Sequence, residues 1–291
     1  MRIDRLSSHF AMSVALLAFW PISPPANAAA DLERGRYLVG ALTACDNCHT
    51  PRGPSGYDLS RRFSGGAQTF SQATYVVRGS NISPDVETGV GAWTDKELRA
   101  AIVDGVGRDN RLAPVMPSDS YKPLTTRDLD AIIGFLRAAA PVRAPLQAPQ
   151  QRNGEWAPHP MPGAAAPFDE TSLADKQTRG LYVASLARCM SCHSAEVDGA
   201  PDYRNRLGAG GKIFHNAAGV VVASNITSHP AKGVGAWSDE ALKRAITQGL
   251  SRDGAPLRPP MSTLAKAHFS KMSRDDLDAL VAWIRTLPPK E

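Results

Sequence analysis

The sequence predicts an all-α protein built from two tandem copies of one module, each with room for a small β-hairpin. An internal repeat, the helical spacing of apolar residues and a cysteine pattern used twice lead to this. Self-comparison gives a constant offset of 144 residues, with Cys45 falling on Cys189, His49 on His193 and Ser80-Asn81-Ile82 on Ser224-Asn225-Ile226. The run Gly89-Val90-Gly91-Ala92-Trp93 returns unchanged as Gly233-Val234-Gly235-Ala236-Trp237. Each copy closes with apolar residues at i, i+3, i+4 and i+7: Leu129, Ile132, Ile133 and Leu136, then Leu277, Leu280, Val281 and Ile284.

The elements follow in order. Residues 1–28 read as an export signal, with Arg2 and Arg5 as a basic start, an apolar run Ala11 to Trp20 and an A-x-A site at Ala26-Asn27-Ala28. The apolar run is shorter than the ~20 residues that a membrane span needs, and the competing reading is an uncleaved N-terminal anchor. The first module is expected at 29–140. Asp31 is a plausible N-cap for its first helix, through Arg34 to Val39, matched in the second copy by Arg179 to Val183. Strand-like runs at Thr74–Val77 and Gly219–Ala223 suggest the hairpins. Thr94-Asp95-Lys96-Glu97 is a capping box for a helix ending near Gly105, whose counterpart runs from Ser238 to near Gly249. Residues 141–171 carry seven prolines and read as an extended surface linker that contributes no helix, with the second module at 172–291.

Composition fits a globular chain: 43% of residues are hydrophobic and 21% charged. Aromatics make up only 7% while Gly and Pro number 24 and 23, so each half is expected to build its own core from little side-chain bulk, and a large apolar cofactor would supply what is missing. The formal charge of +5 is dispersed along the chain, which argues against nucleic-acid binding. No further apolar stretch approaches spanning length, so the mature protein is expected to be periplasmic, at most peripheral to the membrane.

All four cysteines lie in C-x-x-C-H units, Cys45-Asp46-Asn47-Cys48-His49 and Cys189-Met190-Ser191-Cys192-His193. This is the attachment signature of haem c: two thiols form thioethers with one porphyrin edge, and the following histidine lies under the iron. The sequence therefore predicts two covalent haem c groups. A thioredoxin-like pair expects one motif beside a βαβ pattern. Zinc favours separated ligand pairs, and plain disulfides leave the repeated histidine unexplained.

A sixth ligand is expected from methionine. Met116, in Ala113-Pro114-Val115-Met116-Pro117, and Met261, in Arg258-Pro259-Pro260-Met261-Ser262, occupy matching proline-flanked loops. The competing reading is that they fill core space. Met161, Met190 and Met272 have no counterpart in the other copy and are read as ordinary residues. His159, His215, His229 and His268 fail the same test and are read as surface histidines. For Trp93, Trp237, Asn81 and Asn225, hydrogen bonding to propionates or backbone stands beside plain packing.

The phrases Ser80 to Asp85, Thr88 to Asp95, Val115-Met116-Pro117 and Leu129 to Pro141 closely resemble the cytochrome c subunits of periplasmic alcohol, gluconate and molybdenum-containing dehydrogenases. The resemblance implies two tandem class I cytochrome c domains with His49/Met116 and His193/Met261 as axial pairs. It also implies single-electron transfer from a dehydrogenase catalytic subunit to a respiratory acceptor. Many relatives carry three haems and a C-terminal anchor, whereas this sequence offers two motifs and no hydrophobic tail. No catalytic residue is expected. A peroxidase-like dihaem enzyme and a free shuttle to a terminal oxidase are the alternatives.

Overall fold

The computed structural model describes residues 26–53, 56–66, 68–108, 111–144, 151–153, 157–216 and 219–291. Most of the expected export signal lies outside these residues, and Ala26-Asn27-Ala28 form the first turn of the opening helix. In the first half α1 spans Ala26–Tyr37 and runs on into a π-helical turn, Leu38–Leu42. The short α2, Asp46–His49, carries the first cysteine motif. Then come α3 (Asp95–Arg99), α4 (Ser118–Tyr121) and α5 (Thr126–Ala138). The second half repeats the order with one added short helix, α8: α6 (Lys176–Leu186), α7 (Cys189–Cys192), α8 (Tyr203–Arg206), α9 (Asp239–Gln248), α10 (Met261–Ala267) and α11 (Arg274–Ile284).

Local chemistry fixes most of these boundaries. Thr94 and Glu97 cap α3 reciprocally, and Gly105 ends the helical run in a left-handed conformation. Ser238 caps α9 at its start and Gly249 ends it in the same left-handed way. Asp31 is not a cap: α1 begins at Ala26, so Asp31 lies within it and reaches Arg127 at 3.4 Å. Antiparallel pairs Thr69–Gln72 with Tyr75–Arg78, and Ile213–Asn216 with Gly219–Val222, form a hairpin in each half.

In each half the first helix crosses the last one face to face, α1 on α5 and α6 on α11. The crossing points are glycines because a Cβ at Gly35 would overlap the carbonyl of Ala131, and one at Gly180 that of Ala279. Leu129, Ile132, Ile133 and Leu136 of α5 are all buried. On α11, Leu280, Val281 and Ile284 are buried, with Leu277 half-buried.

Separate cores for the two halves were the expectation, and the structure corrects it: the buried apolar residues form one continuous cluster from Leu38 to Leu287. A pair of exchanged contacts closes the seam. Arg34 grips Asp128 with two hydrogen bonds (2.7 and 2.6 Å), and Tyr182 from the other half donates to the same carboxylate at 2.5 Å. Arg179 binds Asp276 at 2.6 Å, and Tyr37 from the first half donates to that carboxylate. Tyr182 is buried and Tyr37 half-buried; desolvation, with the adjacent carboxylate, pushes the pKa of each well above the ordinary phenol value.

The proline-rich linker also departs from expectation. Residues 145–150 and 154–156 lie outside the described set. The rest is not merely a surface strap, because Met161 and Ala164 are buried in the shared cluster and a 3-10 turn begins at Glu170. His268 is no surface residue either. It is 1% exposed, its Nδ1–H donates to the Gly40 carbonyl (2.8 Å), and its Nε2 accepts from the Tyr57 hydroxyl (2.7 Å), both from the opposite half.

Candidate cofactor site

The first cysteine motif opens on a cavity of about 640 Å³ whose lining includes Cys45, Cys48, His49, Trp93, Met116 and Tyr121. His49 and Met116 are far apart in sequence, and folding brings them to the lining of one cavity. The path is set by a few contacts. Ala44, just before the motif, adopts a left-handed φ of 52°, and the α2 turn closes by His49 N–H donating to the Cys45 carbonyl at 3.0 Å. Asp46 within the motif is buried and held by two Arg62 nitrogens (2.9 and 2.6 Å) and by Thr50 at 2.7 Å. Gly66 and Gly79 pass directly over Cys48, where a Cβ would collide with its carbonyl.

The histidine is prepared as a ligand. His49 Nδ1–H donates to the Ser80 carbonyl at 2.7 Å, which fixes the tautomer and leaves the Nε2 lone pair free. His193 makes the identical bond to Ser224 at 2.7 Å. Burial pushes both imidazoles below their ordinary pKa, favouring the neutral, ligating form. The thiols of each pair are unbridged. Desolvation raises Cys45 to about 11 and Cys189 to about 12, so both are neutral thiols. Among the described residues no three His, Cys, Asp or Glu side chains gather as a metal cluster.

These features fit haem c. A largely apolar cavity of sufficient size, two free thiols on its wall, a tautomer-locked imidazole and a thioether lining the same space are what such a group needs. Met116 lies in a turn, its N–H bonded to the Ala113 carbonyl at 2.9 Å. Met261 is the first residue of α10 rather than part of a loop, and both methionines are half-buried against the core. Met161, Met190 and Met272 are packed in the core.

The repeated Ser-Asn-Ile and Gly-Val-Gly-Ala-Trp phrases have a local structural use. Asn81 donates to the Val142 carbonyl (2.8 Å) and accepts from Ser83 N–H (2.9 Å), while Asn225 bonds the Lys290 carbonyl (2.7 Å) and Thr227 N–H (2.8 Å). Both amides therefore bind backbone, stapling down the chain that follows the last helix of each half. Arg137 on α5 donates to the Trp93 carbonyl and to Asp95, and Arg285 just past α11 repeats this with Trp237 and Asp239.

Sequence reasoning missed Arg188. It lines the first cavity although it belongs to the second half. Its signal was a break in the repeat, since the equivalent position is Ala44. Sequence reasoning also missed the tyrosine exchange, whose signal was the recurrence of Arg34 and Tyr37 as Arg179 and Tyr182.

Residues 177–288 match the cytochrome c family. Over its full length the chain is 29% identical to the fructose dehydrogenase cytochrome subunit of Gluconobacter japonicus, spanning 61% of that protein. Over 99% of its length it is 27% identical to the cytochrome c subunit of the quinone-dependent alcohol dehydrogenase of Gluconacetobacter polyoxogenes, spanning 63% of that protein. A diheme cytochrome c-type protein of Cereibacter sphaeroides is 28% identical over 90% of this chain and 87% of its own. The chain thus spans less than two thirds of the two dehydrogenase subunits.

Proposed function

We propose that this chain, a cytochrome c domain over residues 177–288, is a dihaem electron carrier that takes single electrons from a periplasmic dehydrogenase subunit and delivers them to a respiratory acceptor. On this reading two tandem class I domains, 29–140 and 172–291, flank the linker 141–171. Cys45/Cys48 and Cys189/Cys192 would attach the porphyrins, His49 with Met116 and His193 with Met261 would hold the iron, and an export signal would deliver the chain to the periplasm. No helix among the described residues is long and apolar enough to cross a membrane.

The observation that carries the reading is the convergence of Cys45, Cys48, His49 and Met116 on one apolar cavity, with His49 oriented by Ser80. When bound, haem c supplies a one-electron iron couple. The residues here attach it, hold it and exclude water. His49 presents Nε2, Met116 presents a weak neutral donor, and the apolar walls around Leu98, Ile132 and Leu136 keep the site dry. A carrier needs no substrate pocket, and the relatives named as dehydrogenase cytochrome subunits support a dehydrogenase as donor.

Intact mass of the exported protein tests the reading. It should exceed the polypeptide mass by two haem groups, and the pigment should resist acid extraction. A bare polypeptide mass in redox-active material would overturn it.

A further inference from the structure

We infer that Arg188, from the second half, sets the reduction potential of the haem site in the first half and biases a shared electron toward it. This rests on the dihaem reading above. Arg188 immediately precedes Cys189, and its left-handed backbone (φ 59°) parallels that of Ala44 (φ 52°) before Cys45. The repeat thus keeps the turn but replaces a methyl group with a guanidinium. That side chain crosses the seam and lines the first cavity beside Cys45, Cys48 and Tyr121. Among the described residues no carboxylate lies within ion-pair reach of it. The other partly buried arginines Arg34, Arg62 and Arg179 each hold an aspartate.

A half-buried cation with no carboxylate partner carries a desolvation cost, and its place on the cavity wall lets its charge act on what the cavity holds. Arg188 adjoins the second attachment motif in sequence and lines the wall of the first cavity. A fixed positive charge disfavours the ferric state, which carries one more positive charge than the ferrous state, so the adjacent site holds its electron more tightly. The biased step moves one electron and no atom: the second-half site is oxidised by one electron as the first-half site is reduced by one.

The test is spectroelectrochemical titration of the matured dihaem protein and of R188Q and R188K, with the first-half haem identified as the one whose spectrum changes in M116A. In R188Q the first-half site should lose about tenfold in electron affinity, a fall of about 59 mV for a one-electron couple. The second-half site should shift less, and R188K should stay close to wild type. Unchanged potentials in R188Q with both haems attached would overturn the inference, as would equal shifts in R188Q and R188K, which would indicate packing rather than charge. If R188Q does not retain the first haem, R188M takes its place. Loss of that haem in both variants would make Arg188 a structural plug and also overturn it. Wild-type protein without haem would sink the dihaem reading itself, a separate outcome.

Discussion

At the residue scale the proposed iron ligands, His49 with Met116 and His193 with Met261, would decide what iron chemistry the chain can support. Met116→Ala and Met261→Ala should each abolish about half of the near-infrared ferric sulfur-to-iron band while leaving both haems covalently attached. An unchanged band in either variant would remove that methionine from the ligand set. His268 gives a pH prediction. Burial holds its imidazole below the ordinary value, with the Gly40 carbonyl opposing that shift. Between its folded pKa and about 6.5 the unfolded chain binds a proton that the folded chain refuses. The stability contributed by the neutral ring is thus complete above about 6.5 and is lost as pH falls through the folded value. Urea midpoints should fall from pH ~7.5 to ~5, and His268→Gln should flatten that fall. Equal slopes in the two proteins would show that His268 is not the group responsible.

At the element scale the helix crossings dominate. Gly35 and Gly180 allow the first and last helices of each half to touch, because a Cβ at either would overlap a backbone carbonyl of the partner helix. Helix propensity alone would reward alanine by about 1 kcal/mol. Overpacking wins, so Gly35→Ala and Gly180→Ala should each destabilise by about 1–3 kcal/mol in urea unfolding. Gly134 on α5 is the control: a Cβ there meets nothing within 4 Å, so Gly134→Ala should stabilise by up to about 1 kcal/mol. Destabilisation of similar size at all three positions would mean that contact with the partner helix is not the cause.

For the whole molecule, the two halves are locked by an exchange: each contributes an Arg–Asp pair and lends a tyrosine to the other's aspartate. Tyr37→Phe and Tyr182→Phe each remove a hydrogen bond to a buried carboxylate and should cost about 1.5–3 kcal/mol. The double variant should split the single denaturant transition into two, followed by haem absorbance and far-ultraviolet dichroism together. A single, merely shifted transition would show that the shared apolar cluster suffices to couple the halves. A rigid seam matters for the proposed function because it fixes the separation of the two sites.

Covalent and short-range information was legible in the chain itself. The C-x-x-C-H units, the repeat, the Thr94–Glu97 box, the Gly105 and Gly249 stops and the buried faces of α5 and α11 all depend on residues within a few positions of one another, or on identical phrases. Met116 was legible as a ligand candidate by its place in the repeat, and folding brings it to the same cavity as His49. The start of α1, the burial of Met161 and His268, the common core and the reach of Arg188 across the seam were decided by tertiary structure. The physical reason is shared: these depend on how two amphipathic surfaces meet, and a single helix pattern says which face is apolar without saying what will cover it. A repeat likewise announces two similar units, while the contacts between them arise from side chains on their outer faces. Arg188 stands where the repeat places Ala44, and only the packed seam gives that difference a cavity to face.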